Sequence, residues 1–305
     1  MKKTVISHFY NEEHLLPWWL NHHKQIFDHG IMIDYHSTDR SMEIIREICP
    51  DWEIRYTRNK YFDSTPIDQE VMDIEKELEG WRMCLNTTEF LYGNISHLDD
   101  RQEPTQYFIG NYVFVDMEDE IKGPLTLSYD VPLHEQRYWG YNEIDPPLGG
   151  CRPQGSMARF NRSIHTYPVK YVSGRHYPKT QRSFDDLVIF YYGWADVSAS
   201  GIKRKIQIKD KVSDEEKNRG IHRHAEDVIL DQYRKDQQPI SKNLKDIVDG
   251  IYEAQKNSTV KQKTSTPIEQ PIQNVTELAI TYEGTVVEIP ATDSKLIQAE
   301  PRVVG

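Results

Sequence analysis

The chain has 305 residues, enough for one large domain with a sizeable core, and 37 basic against 48 acidic residues give a net charge of −11. That balance argues against general affinity for nucleic acid or anionic lipid. Cys49, Cys84 and Cys151 are an odd set with no close spacing, so neither a disulfide framework nor a paired-cysteine metal site is expected. The start MKKTVISHFYNEE lacks the apolar stretch of a signal peptide, and no run is long enough to span a bilayer; a soluble, cytoplasmic protein is the expectation.

In chain order, KTVISHFY reads as a buried strand, with Asn11 as N-cap and Glu12 and Glu13 in the first turn of a helix through LLPWWLNHHKQIF. GIMIDY is a second strand, STDRS a turn, MEIIREIC a helix closed by Pro50, WEIRYTR a third strand, PIDQEVMDIEKELE an acidic helix and WRMCLNT a fourth strand. Strands alternating with helices imply βαβ units and a largely parallel sheet. Beyond residue 100 the pieces YFIGNYVFV, LTLSYD, ARFNR, KYVSGRHY and LVIFYYGWA look strand-like and would supply an acceptor-binding half. SASGIKRKIQIKD, SDEEKNR and HRHAEDVILDQYRK look helical, with Ser213 and Glu216 as a capping box. The expected organisation is a main domain over 1–235, a C-terminal helix over 236–254, a polar linker over 255–272 and a tail over 273–305 with a hairpin around Glu283 and Gly284.

The polar turn IDYHSTDRS places short oxygen-bearing side chains where a strand ends, the edge at which open α/β sheets bind ligands. The plainer reading is that Asp39 and Ser41 cap the next helix. Taken together, ISHFYNEE, IDYHSTDRS and WRMCLNTTEFL, with the later GRHY and GIKRKIQIKD, resemble the family-two-like glycosyltransferases of GT-A fold, over roughly residues 3–235. The resemblance implies a Rossmann-related, mainly parallel sheet flanked by helices, a nucleotide-sugar donor, UDP-linked, and a hydroxyl acceptor on a glycan or related molecule.

Residue by residue, Asp34 matches the first acid of the family's Asp-Asp-Gly-Ser-Thr-Asp turn, Tyr35 and His36 replace the second Asp and the Gly, and Ser37, Thr38 and Asp39 keep their places. A carboxylate there accepts from a base or ribose, and Tyr35 could stack on a base; Asn11 joins this donor set. Asn86, Thr87 and Thr88 stand where the family has Asp-any-Asp, and Glu89 is kept. A hard cation bridging phosphates needs carboxylate oxygen. Three outcomes fit: Glu89 with a distant His (His222 or His224) holds Mn²⁺ or Mg²⁺, side chains such as Arg159, Arg175 or Lys203 replace the cation, or catalysis is lost. His222 and His224 are also read as a solvated helix start, and two residues apart on a helix they diverge too far to bind one ion. His176, Lys203 and Arg204 would surround the diphosphate, although the basic run also suits a solvated helix face.

For the general base, Asp145, Asp185 and Asp186 are available, with Asp185 or Asp186 preferred ahead of an apolar strand. The aromatics of YWGY and FYYGW are core, or platforms for sugar rings. Two rivals remain: a catalytically silent nucleotide-sugar or glycan-binding module, and a nucleotidyltransferase, which HFYNEE disfavours because it lacks a glycine-rich phosphate loop.

Overall fold

The computed structural model describes residues 1–98, 105–142, 162–171, 174–175, 186–218, 230–231, 233–264, 281–282 and 285–286. Its elements in chain order are β1 (Lys3–Phe9), α1 (Leu16–His23), β2 (His29–Asp34), α2 (Ser41–Ile48), β3 (Glu53–Tyr56), α3 (Ser64–Glu75), β4 (Trp81–Cys84), β5 (Glu89–Gly93), β6 (Gln106–Ile109) and β7 (Asn111–Val115). There follow α4 (Leu133–Gln136), β8 (Trp139–Asn142), β9 (Arg162–His165), β10 (Leu187–Trp194), α5 (Ala199–Ile206), α6 (Asp214–Asn218), β11 (Lys242–Asn243), α7 (Lys245–Thr264), β12 (Thr281–Tyr282) and β13 (Thr285–Val286).

The alternation of strand and helix in the first 84 residues builds a parallel ladder β3-β2-β1-β4, extended by antiparallel β9 and β6. A second sheet, β11-β8-β7-β10-β5, is antiparallel except for the β10–β7 pair. The architecture is therefore α/β with mixed sheets, and parallel pairing dominates only the N-terminal half.

Period-two alternation assigns each face of the first sheet. Val5 and Phe9 of β1, Met32 of β2 and Trp81 and Met83 of β4 join the α1 and α2 residues Leu16, Trp19, Ile44 and Ile45 in the larger core. That core continues into the second sheet through Phe90, Phe114 and Phe190. Ile6, Ile31, Ile33 and Cys84 point the other way and pack under Val71 and Ile74 of α3. Cys49 and Cys84 are buried free thiols, and burial pushes Cys84 up to about 12.

Four local expectations change. The cap position of α1 is Leu15, with Pro17 just inside the helix, so Asn11 does not cap it. LTLSYD forms turns, braced where Ser128 N–H donates to Gln136 Oε1 at 2.7 Å. Ser213 does accept from the Glu216 N–H at 3.3 Å, but the Glu216 carboxylate reaches Ser64 N–H at 2.9 Å and serves the start of α3 instead. The C-terminal helix begins at Lys245 and continues to Thr264, through the first part of the expected linker; Val248 is fully buried and anchors it.

The chain divides into compact units Met1–Thr264 and Ser265–Gly305. Within the second, Thr281 pairs antiparallel with Val286 and Tyr282 with Thr285, the hairpin expected around Glu283 and Gly284. Among the described residues no helix is long and apolar enough to cross a membrane.

Candidate functional site

Parallel pairing sets the ends of β1, β2 and β4 side by side, because Phe9 lies in register with Asp34 and Ile6 with Cys84. The chain turns that leave these ends form the candidate site.

The first two turns are laced together. Asn11 adopts a left-handed backbone, φ 52°, a conformation Asn tolerates better than most residues. Its Oδ1 accepts from the N–H groups of Thr38 at 2.7 Å and Asp39 at 3.3 Å, while its own N–H donates to Ser37 Oγ at 3.0 Å. Glu12 N–H donates to Ser41 Oγ at 2.8 Å, and Glu13 N–H to Asp39 Oδ2 at 3.0 Å. Asp39 Oδ1 also accepts from Ser41 N–H at 2.9 Å, but the cap position of α2 is Arg40, with no side-chain cap, so neither Asp39 nor Ser41 caps the helix as expected. The cluster of short polar side chains in IDYHSTDRS thus has a structural use: it clasps one strand end to the next.

One oxygen is left over. Asp34 is fully buried; Oδ1 accepts from Ser37 N–H at 2.9 Å, and Oδ2 is buried with no hydrogen-bond partner. Buried carboxylate oxygens are normally satisfied, and this one has no donor among the described residues. Tyr35 is 1% exposed, with its ring against Phe62 at 4.8 Å and His8 at 5.6 Å, so it is not an open stacking surface. The exposed stacked pair at this edge is instead His36 on Tyr56, 5.4 Å apart and 16° from parallel.

Beneath Tyr35, Glu70 of α3 accepts from Thr57 Oγ1, Arg58 N–H and Asn59 Nδ2, each at 2.8 Å, and lies 3.4 Å from His8 Nε2. Burial lowers His8 to about 4, so its ring is neutral.

At the end of β4 the arrangement is cationic. Glu89, 1% exposed, is gripped by Arg162 through two hydrogen bonds of 2.9 Å, and its Oε2 also accepts from Asn86 N–H at 2.7 Å. Arg162 extends to the carbonyls of Gly174 at 2.7 Å and Arg175 at 3.1 Å. Arg175, 6% exposed, donates to Asn86 Oδ1 at 2.7 Å, and its Nε is buried without a partner. The two Asp68 oxygens accept from the Gly174 and Arg175 N–H groups at 2.9 and 3.1 Å, and burial raises the Asp68 carboxyl despite Arg175.

α5 closes the other side. Ser198 caps it, accepting from Gly201 N–H at 3.4 Å, and Gln207 donates to the carbonyls of Tyr10 and Asn11 at 3.1 and 2.6 Å. Arg204 meets Glu12 at 3.2 Å. Burial raises Glu12, opposed by Arg204 and by a hydrogen bond from Thr87. Lys203 points to solvent; Lys205 takes the inner place, its Nζ 3.7 Å from the centroid of the Trp194 ring. Burial, with Arg204 nearby, lowers Lys205 to about 7. Beside them His14 Nε2 lies 2.9 Å from Asp196 Oδ2, both side chains largely buried. Burial opposes the charge on Asp196, yet its bonds to His14 and Ser198 hold it at about 2.

Of the expected site residues, the structure brings together Asn11, Asp34, Tyr35, Ser37, Asp39, Glu89 and Arg204 around these strand ends. Asp186 is elsewhere: half-exposed beside His97 at 2.7 Å, next to Leu187, which pairs with Gly93 at the far end of β5 from Glu89. At the rise of a strand that separation is roughly 15 Å. His176, His222, His224 and Asp185 lie outside the described residues. Sequence reasoning missed His14, Asp196 and Lys205; only their convergence in space singles them out.

A divalent cation at the Asn86–Glu89 turn is tested by its donors. Both Glu89 oxygens are occupied by Arg162, Asn86 Oδ1 is taken by Arg175, and no group of three His, Cys, Asp or Glu that could hold a metal exists among the described residues. These residues do not fit such an ion.

No family model matches the chain, and no curated protein matches it. Among solved structures, S. aureus TarS is similar at 16% identity and a TM-score of 0.28, covering 38% of this chain and 22% of TarS. TarS in complex with UDP-GlcNAc is similar at 17% identity and a TM-score of 0.28, covering 38% of this chain and 35% of that one. HddC from Yersinia pseudotuberculosis is similar at 11% identity and a TM-score of 0.34, covering 65% of this chain and 95% of HddC. The chain thus spans between a fifth and two fifths of the TarS chains it matches. Overlaps this partial carry nothing about activity.

Proposed function

We propose that the protein is a GT-A-like glycosyltransferase that moves a sugar from a nucleotide-sugar, UDP-linked, to a hydroxyl of a glycan or related acceptor. One observation carries the reading. At the carboxyl edge of the parallel strands a fully buried carboxylate, Asp34, keeps one oxygen without a donor among the described residues, while Arg175 bonds to Asn86 and Arg204 and Lys205 lie beside Glu12. An acceptor for a base or ribose proton beside a cationic cradle suits a nucleoside diphosphate. In the transfer, the bond from the anomeric carbon to the diphosphate oxygen breaks and a bond from that carbon to the acceptor oxygen forms. The acceptor's proton passes to a base and the nucleoside diphosphate departs. The His14–Asp196 pair replaces Asp186 in the base role, because it flanks the Glu12–Arg204 contact rather than the far end of β5. Placement in the cytoplasm belongs to the same reading.

A catalytically silent nucleotide-sugar or glycan-binding module is the second reading, favoured by the occupation of Glu89 by Arg162. Thermal shift with a panel of nucleotide-sugars tests the first part, since a ligand that binds only the native state raises Tm. A rise with at least one UDP-sugar and little with ATP is expected; no rise with any donor removes the proposal. Donor binding without hydrolysis or transfer to any glycan acceptor would leave the binding module.

A further inference from the structure

Two arginines lie close to the Asn86–Thr87 turn, although the chain as a whole is strongly acidic. Arg175 donates to Asn86 Oδ1, and Arg204 holds Glu12, whose carboxyl is near enough to Thr87 to be influenced by it. Their carboxylate partners do not fully balance them. Asp68 lies 3.9 Å from the Arg175 guanidinium and spends its oxygens on two backbone N–H groups, and Glu12 serves Arg204 with Lys205 close by. The Nε of Arg175 adds a buried N–H donor with no acceptor. Guanidinium groups with an unmet donor, where no group of three metal-ligating side chains exists among the described residues, suit direct contact with an anion.

We infer that Arg175, with Arg204 and Lys205 across the Asn86–Thr87 turn, neutralises the diphosphate of a bound nucleotide in place of a divalent cation. The inference rests on the nucleotide-sugar reading above and adds to it the source of the positive charge. Guanidinium suits the task because its planar donors match two phosphate oxygens at once and its charge does not titrate in the ordinary pH range.

Calorimetric titration of the full chain with UDP and with inorganic pyrophosphate, in EDTA and in excess Mn²⁺, tests this. Binding of both in EDTA, changed less than about twofold by Mn²⁺ and weakened more than about tenfold by Arg175→Gln, is the expected result. Circular dichroism checks that Arg175→Gln remains folded. Lys205→Gln, which removes an amine that burial and Arg204 lower to about 7, is the second variant and should weaken binding by at least about threefold. Binding only with Mn²⁺ overturns the inference and leaves the nucleotide-sugar reading standing. Binding in EDTA that neither variant weakens overturns it too. No binding of UDP or pyrophosphate under either condition overturns both.

Discussion

Arg162 and Glu89 face each other through two parallel hydrogen bonds of 2.9 Å, with both side chains at most 2% exposed. The pair joins the first residue of β9 to the first residue of β5, and so ties the two sheets together beside the candidate site. A carboxylate that reads in sequence as a metal or sugar ligand is here the buried partner of an arginine that then holds the Gly174–Arg175 backbone. The first prediction follows from burial. Removing one partner strands the other charge, so Arg162→Met should destabilise the fold by about 3–5 kcal/mol. Glu89→Leu added to it should recover much of the loss. Urea unfolding of the two variants checks this; equal stability of Arg162→Met and wild type would contradict it.

Asn11 provides a second, smaller test. Ala in its place loses the acceptor for the Thr38 and Asp39 N–H groups and must hold a left-handed backbone. A loss of about 1–3 kcal/mol is expected. Asn11→Gly removes the same bonds but tolerates the backbone, so the difference between the variants in denaturant melts separates strain from hydrogen bonding.

The buried histidines set the response to acid. Burial lowers His8, His22 and His134 to about 4, against 6.5 for a free imidazole. Between those values the unfolded chain binds more protons than the folded one. The contribution of these rings is therefore complete above pH 6.5 and falls as pH drops towards 4, by up to roughly 3 kcal/mol for each ring. His134, in hydrogen-bond contact with Tyr92 and packed on Tyr252, is the one to replace: His134→Gln should flatten the dependence of Tm on pH between 6.5 and 4. An unchanged slope would show that this ring does not contribute.

Asp34→Asn separates donor recognition from folding. It keeps an oxygen for the Ser37 N–H, so stability should change by about 1 kcal/mol or less, while UDP affinity drops about tenfold or more. Parallel thermal melts and titrations read the two effects independently.

Asp196→Asn addresses the chemistry. If the His14–Asp196 pair accepts the acceptor's proton, kcat should fall at least about a hundredfold while the donor dissociation constant stays within about twofold. Asp186→Asn, at the remote end of β5, should leave kcat within about threefold of wild type. The reverse ranking would return the base role to Asp186.

The sequence by itself determined the order of β1 to β4 and the helices between them, because period-two and period-3.6 burial patterns are local and each segment carries its own. It also marked Asp34 and the STDRS turn as the end of a strand, and the two-strand hairpin in the tail. What Glu89, Asn11, Tyr35 and Asp186 do was decided only by tertiary structure. Arg162 is 73 residues from Glu89 in the chain, and Arg175 is 89 from Asn86. No local pattern connects such partners. Whether a carboxylate is an open ligand or half of a buried ion pair depends on which distant charge the fold brings within 3 Å of it, and that distance is set by how β9 and α5 pack onto the strand ends.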